Sequence, residues 1–132
     1  MPSIQNAELT VATDRPMDRA TVVVSCDIQF TEVEVNAMNL LGLQYTLSCQ
    51  VLNKYMLDED PVVDYDAITF PRIEGAAQRY EHVVFDSHEP MYSLHERLLG
   101  KDKLVAQLSL KNEETSETTK LRTDEISVDL AA

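Results

Sequence analysis

The chemically suggestive residues of this chain are one cluster of acids, three histidines and two cysteines. Asp58, Glu59, Asp60, Asp64 and Asp66 form the densest run of charge, inside the stretch 53–66, which reads as a loop between two strands. Carboxylates at alternate positions of a flexible loop suit a hard cation, because calcium gathers roughly six to eight oxygen ligands. Asp58, Asp60, Asp64 and Asp66 would be those ligands. Pro61, Val62 and Val63 interrupt the run, and no glycine supplies the sharp turn of a wrapped loop, so a solvated acidic loop is the plainer reading. Apart from calcium the residues call for no cofactor. Tyr55, Met56, Leu57 and Tyr65 flank the acids. Apolar and aromatic side chains on a loop either make a contact surface for another protein or fold back as a lid on a sheet edge.

His82, His88 and His95 fall close together in the chain. His95 lies inside an apolar stripe of helical spacing, where a histidine is more often a hydrogen-bonded core residue than a ligand. Paired with Glu89 and Glu96, His88 and His95 could build a small site at a helix start, and His82 or His95 could serve as the base of an enzyme with a cavity between sheets. Cys26 and Cys49 fall on inward-facing sets of two long strands, and no Lys or Arg occurs from Ala20 to Asn53. Without a cationic neighbour a buried thiol stays protonated and unreactive, so both are expected to be free. The glycines are isolated, which excludes a phosphate-cradling loop and a dinucleotide fingerprint, and neither a G-x-S-x-G elbow nor an H-E-x-x-H helix is present.

The elements that must position these residues are mostly strands. From Arg19 to Thr31 the residues Ala20, Val22, Val24, Cys26, Ile28 and Phe30 alternate with a more polar set that still contains Val23. The pattern returns from Leu43 to Val51 and from Leu104 to Leu110, and a last strand spans about Thr118 to Leu130 with Ile126, Val128 and Leu130 inward. Weaker strands are expected at Ala7–Val11, at Ile68–Phe70 and at Arg79–Phe85. In the last of these Tyr80, His82 and Val84 compete with Val83 and Phe85 for the inner face. Turn formers at Asp14–Asp18 and Asn112–Glu117 predict hairpins. Pro90, Met91, Leu94, Leu98, Leu99 and Gly100 predict a helix over about 90–99, between the fifth and sixth strands. Thr31 with Glu34 could form a capping box over 31–42, whereas Val33 and Val35 favour strand there.

Seven one-sided strands in 132 residues predict one all-β domain over 1–132, an antiparallel two-sheet β-sandwich with one short helix. In architecture this resembles the immunoglobulin-like and transthyretin-like sandwiches. The core Trp and widely spaced Cys pair of immunoglobulin domains are missing, so no family function is carried onto particular positions.

The charge narrows the partners. With 23 acidic and 11 basic side chains the net charge is −12, which repels nucleic acid and anionic membrane surfaces. No signal peptide, bilayer-length apolar run or glycosylation sequon is present, which reads as a cytoplasmic protein with reduced thiols. The expected function is a non-catalytic protein-interaction or assembly module acting through a sheet edge or face and the loop 53–66, as a homo-oligomer or with another protein. The alternatives are a sandwich that binds calcium or a small ligand, and a small enzyme. Because the basic residues gather in the C-terminal half, the basic segments of one copy could meet the acidic loop of another.

Overall fold

The inward sets named above become the two inner faces of a sandwich. The computed structural model describes residues 1–55, 58–96 and 100–131. β1 (Ser3–Asp14), β2 (Arg19–Gln29) and β6 (Tyr80–Pro90) form one antiparallel sheet in the order β1-β2-β6. β3 (Tyr45–Tyr55), β4 (Asp58–Asp64), β5 (Ile68–Phe70), β7 (Asp102–Asn112), β8 (Thr118–Arg122) and β9 (Ile126–Val128) form the other. Its order is β4-β3-β7-β8, with β5 also on β3 and β9 also on β7. The predicted antiparallel sandwich is therefore what the chain forms.

Ala20, Val22, Val24, Cys26, Ile28 and Phe30 are all buried, and they face Tyr45, Leu47, Cys49 and Val51 of β3 and Leu104, Ala106, Leu108 and Leu110 of β7 in one continuous core. Register decides the ambiguous strand. Val24 lies opposite Phe85 and Cys26 opposite Val83, so β6 inherits the inner face of β2. Val83 and Phe85 are buried, while Tyr80, His82 and Val84 point outward. A bulge between Gln5 and Glu8, with Asn6 at φ 54°, explains why Ile4 and Leu9 both face inward although their numbers differ in parity.

Several boundaries differ from expectation. The segment 31–42 is a helix, α1 (Glu32–Leu41), because its local caps outweigh the strand preference of Val33 and Val35. The Glu34 amide donates to the Thr31 hydroxyl, the Glu34 carboxylate accepts from the Thr31 amide, and Gly42 ends the helix at φ 73°. The predicted helix over 90–99 is one turn, α2 (Met91–Leu94). Its stop is a competing interaction: the carboxylate of Asp102 takes the Glu96 amide and the His95 ring, which holds His95 in an extended conformation. Arg97, Leu98 and Leu99 lie outside the described residues. The last strand divides at Thr123, whose hydroxyl accepts from the Ala106 amide and whose amide donates to the Ala106 carbonyl.

The largest correction concerns 53–66, expected as a loop: its residues 53–55 and 58–64 are strand. Asn53 to Tyr55 complete β3, and Asp58 to Asp64 pair with it antiparallel as β4. A register shift between Val51 and Leu52 seats Pro61, tolerated because β4 is an edge strand.

Cys26 and Cys49 are free and buried on the inner faces of opposite sheets. Burial pushes their thiols up to about 11 and about 12. Neither should react with a thiol-specific maleimide at neutral pH in the folded chain, and both should react once urea unfolds it. Rapid labelling of the native protein would show that the two sheets part far more readily than this core implies.

Candidate functional site

β4 spreads the acids along an edge. A strand rises about 3.3 Å per residue, so Asp58 and Asp64 stand roughly 20 Å apart, whereas a shared cation needs its ligands converged on one point. Asp58, Asp60, Asp64 and Asp66 are all exposed, and the described residues contain no group of three or more His, Cys, Asp or Glu arranged to hold a metal. One of the five acids, Glu59, is answered within the chain. Arg122 holds Glu59 in a two-pronged pair, Nη1 to Oε2 at 2.5 Å and Nη2 to Oε1 at 3.2 Å. That bond, ahead of the charge of Arg122, keeps the Glu59 carboxyl below its usual range. Lys54 reaches Glu125 at 3.1 Å. The basic residues expected to meet another copy's acids are in part engaged by their own.

Of the expected contact residues, Met56 and Leu57 lie outside the described residues, and Tyr55 is half-buried at the end of β3 opposite Asp58. Tyr65 is a pin between the sheets. Its hydroxyl donates to the Val22 carbonyl at 3.1 Å and lies 3.1 Å from the Ser87 hydroxyl, while its ring packs 5.4 Å from that of Phe85.

The histidines separate into two environments. His82 and His88 are both on the outer face of β6. His82 Nδ1 sits 2.7 Å from Asp27 Oδ1, and the Asn6 amide donates to Asp27 Oδ2 at 2.9 Å. Those bonds, Asn6 first, hold the Asp27 carboxyl below its usual range. His88 Nδ1 lies 3.0 Å from the Thr21 hydroxyl. His95 belongs to a buried cluster that sequence reasoning missed. Its Nδ1 is 2.5 Å from Asp102 Oδ2, while Asp102 Oδ1 accepts from Asn53 Nδ2 at 3.0 Å and from the Glu96 amide at 2.8 Å. Asp102 and Asn53 are fully buried, and Asn53 Nδ2 also donates to the Leu94 carbonyl at 2.7 Å. A carboxylate orienting an imidazole is the pairing a general base uses. Neither His95 nor His82 lines the hollows beside Glu34, Met38, Thr21 or Leu41. The cluster's evident work is to clasp the connection from α2 to β7 against β3.

The strand edges differ in how they are protected. β1 carries the bulge at Asn6, and the β1–β2 turn is tied by Arg15 to Asp129 and Ala131 near the C-terminal end. β4 carries acids and Pro61. β6 is an eleven-residue edge with an unbroken register to β2. The bonds Phe30 N–H to Arg79 O and Met91 N–H to Asp18 O, at its two ends, show that odd-numbered residues turn their peptide groups toward β2. The peptide groups of Tyr80, His82, Val84, Asp86 and His88 therefore face away from it. Arg72 donates to the His82 carbonyl at 3.1 Å, and no strand pairs with this side among the described residues.

A second exposed feature is apolar. Val33, Leu40 and Leu41 of α1 and Ile73 beyond β5 stand largely in solvent.

No protein-family model matches the chain, and no curated protein is similar to it in sequence. Among solved structures it is similar to a crystal structure of a Bordetella pertussis protein provisionally described as ApaA, at 8% identity over 96% of each chain with a TM-score of 0.37. A superposition that loose supports nothing about function.

Two substitutions test the buried clasp. Asp102→Asn keeps one oxygen for Asn53 and Glu96 but sets an amide donor against the His95 ring, and should cost about 1–3 kcal/mol in urea unfolding; an unchanged midpoint would show that the second carboxylate oxygen holds nothing. Glu96 is pushed above its usual range by burial, then by its bond to Asp60 and the charges of Asp60, Asp102 and Asp58. Its folded form thus binds a proton more tightly than its unfolded form, and that contribution to stability is lost as pH rises through the folded value. Asp60→Asn removes the hydrogen-bonded like charge, so its stability relative to wild type should rise from acid to neutral pH in paired urea melts.

Proposed function

We propose that this chain is a non-catalytic interaction and assembly module that docks by strand addition on the free edge of β6, with the outer face of the three-stranded sheet beside it. The observation that carries the reading is the outward row of peptide groups from Tyr80 to His88 on a regular, unbulged edge, with Val84 half-exposed at its centre. Such an edge offers main-chain bonds for affinity and alternate side chains for selectivity. The acids of β4 act in the opposite sense, keeping that edge from pairing. Free thiols at Cys26 and Cys49 support a reducing, cytoplasmic setting.

Val84→Pro provides the test. It removes an outward N–H and leaves the ladder to β2 intact, because even-numbered residues do not bond β2. Immobilised wild type should retain a specific protein from native extract, whether its own chain or another, and Val84→Pro with an unchanged melting temperature should lose it. Retention of the same protein by both, or of none by either, overturns the reading.

A further inference from the structure

We propose that the occupant of the β6 edge is a second copy of this chain, paired antiparallel about a two-fold axis through Val84; the proposal rests on reading β6 as the docking edge. Side chains alternate along a strand, and only even-numbered residues of β6 present peptide groups outward. Self-pairing must therefore set residue i opposite residue j with i + j even, which leaves few registers to compare.

The register centred on Val84 is the complementary one. It sets Arg79 opposite Glu89 of the partner subunit and His82 opposite Asp86 of the partner subunit, each twice by symmetry. Val83 then meets Phe85 of the partner subunit, Tyr80 meets the partner's His88, and Val84, 51% exposed in the single chain, meets the partner's Val84. No like charges face one another. Centring on Phe85 would set Glu81 against the partner's Glu89 and His82 against the partner's His88. Centring on Asp86 or His82 sets that residue against itself, and centring on Val83 satisfies no charge. Directly opposed unlike charges favour an antiparallel pair and like charges oppose it, so among the registers that overlap along most of the strand the one centred on Val84 is favoured.

The geometry of the single chain prepares this contact. His82, already 2.7 Å from Asp27, would bridge that carboxylate and the partner's Asp86 when its ring carries both protons. A carbonyl oxygen has two lone pairs, so the His82 carbonyl can keep Arg72 and also accept the Asp86 N–H of the partner subunit. The result is one continuous sheet of six strands, β1-β2-β6 and its two-fold mate. The net charge of −12 on each copy opposes approach, and physiological salt screens that repulsion beyond about 8 Å while leaving contact pairs in force.

The experiment uses the purified full chain at about 0.15 M salt, with light scattering on a sizing column and amide hydrogen exchange. A dimer is expected, with the amides of His82, Val84, Asp86 and His88 gaining protection as concentration rises and those of Val83 and Phe85 protected throughout. Arg79→Glu and Glu89→Arg should each weaken the dimer about tenfold or more, and the double variant should recover it to within about threefold. A monomer at all concentrations, a dimer without that alternating protection, or a double variant no better than the singles overturns the proposal. A purified monomer whose capture of a different protein is still abolished by Val84→Pro defeats self-pairing and leaves the docking edge standing. Loss of neither activity with Val84→Pro defeats both.

Discussion

Everything in this molecule depends on the packing of the inner face of β2 against β3 and β7. Each even-numbered residue from Ala20 to Phe30, along β2 and just past its end, is almost fully buried, and its partners on β3 and β7 are equally dry. Burial at roughly 25 cal/mol per Å² of apolar surface makes this the dominant stabilising contribution, and it also fixes register, since a one-residue slip would turn every buried side chain to water. β6 has few inward apolar residues of its own, yet the ladder to β2 leaves it a single choice of face. Tyr65, reaching from the larger sheet to the Val22 carbonyl, ties that choice to the opposite layer.

A central strand so constrained pushes the adaptable features to the periphery, and the periphery is where a sandwich must manage its unpaired edges. The bulge at Asn6, the proline and acids of β4 and the break at Thr123 each interrupt a row of free peptide groups. β6 keeps an unbroken register to β2 and carries no proline before its last residue, Pro90. Its edge is left regular, and among the described residues it is guarded by its charges and by Arg72.

How legible this was in the sequence follows from which interactions are local. The inward sets of β2, β3 and β7 were readable because alternation records burial directly, and the hairpins at 14–18 and 112–117 because turn chemistry is confined to neighbouring residues. The same locality explains the capping box of α1, where Thr31 and Glu34 are one turn apart. β4 was unreadable: Asp, Glu and Pro disfavour strands, and only pairing with β3 makes that segment extended. Asp102 carried no signal, because its partners Asn53 and His95 come from distant parts of the chain and a lone aspartate before an alternating run looks like any strand start. For the same reason the helix after Pro90 reads longer in sequence than it is, its stop being imposed by Asp102.

The acidic cluster changes meaning once its backbone is known. As a loop it would be a place to bind; as an edge strand it is a place that repels other edges, including its own copy, while Arg122 neutralises Glu59 without a partner. β6 has the complementary composition. Glu81 is answered by Arg72 within the chain, while Asp86 and Glu89 share the strand region with His82 and Arg79, which the proposed register sets opposite them on an inverted copy. A large net negative charge is therefore compatible with a selective contact, because repulsion acts over the whole surface while complementarity acts along one strand, and salt weakens the first far more than the second.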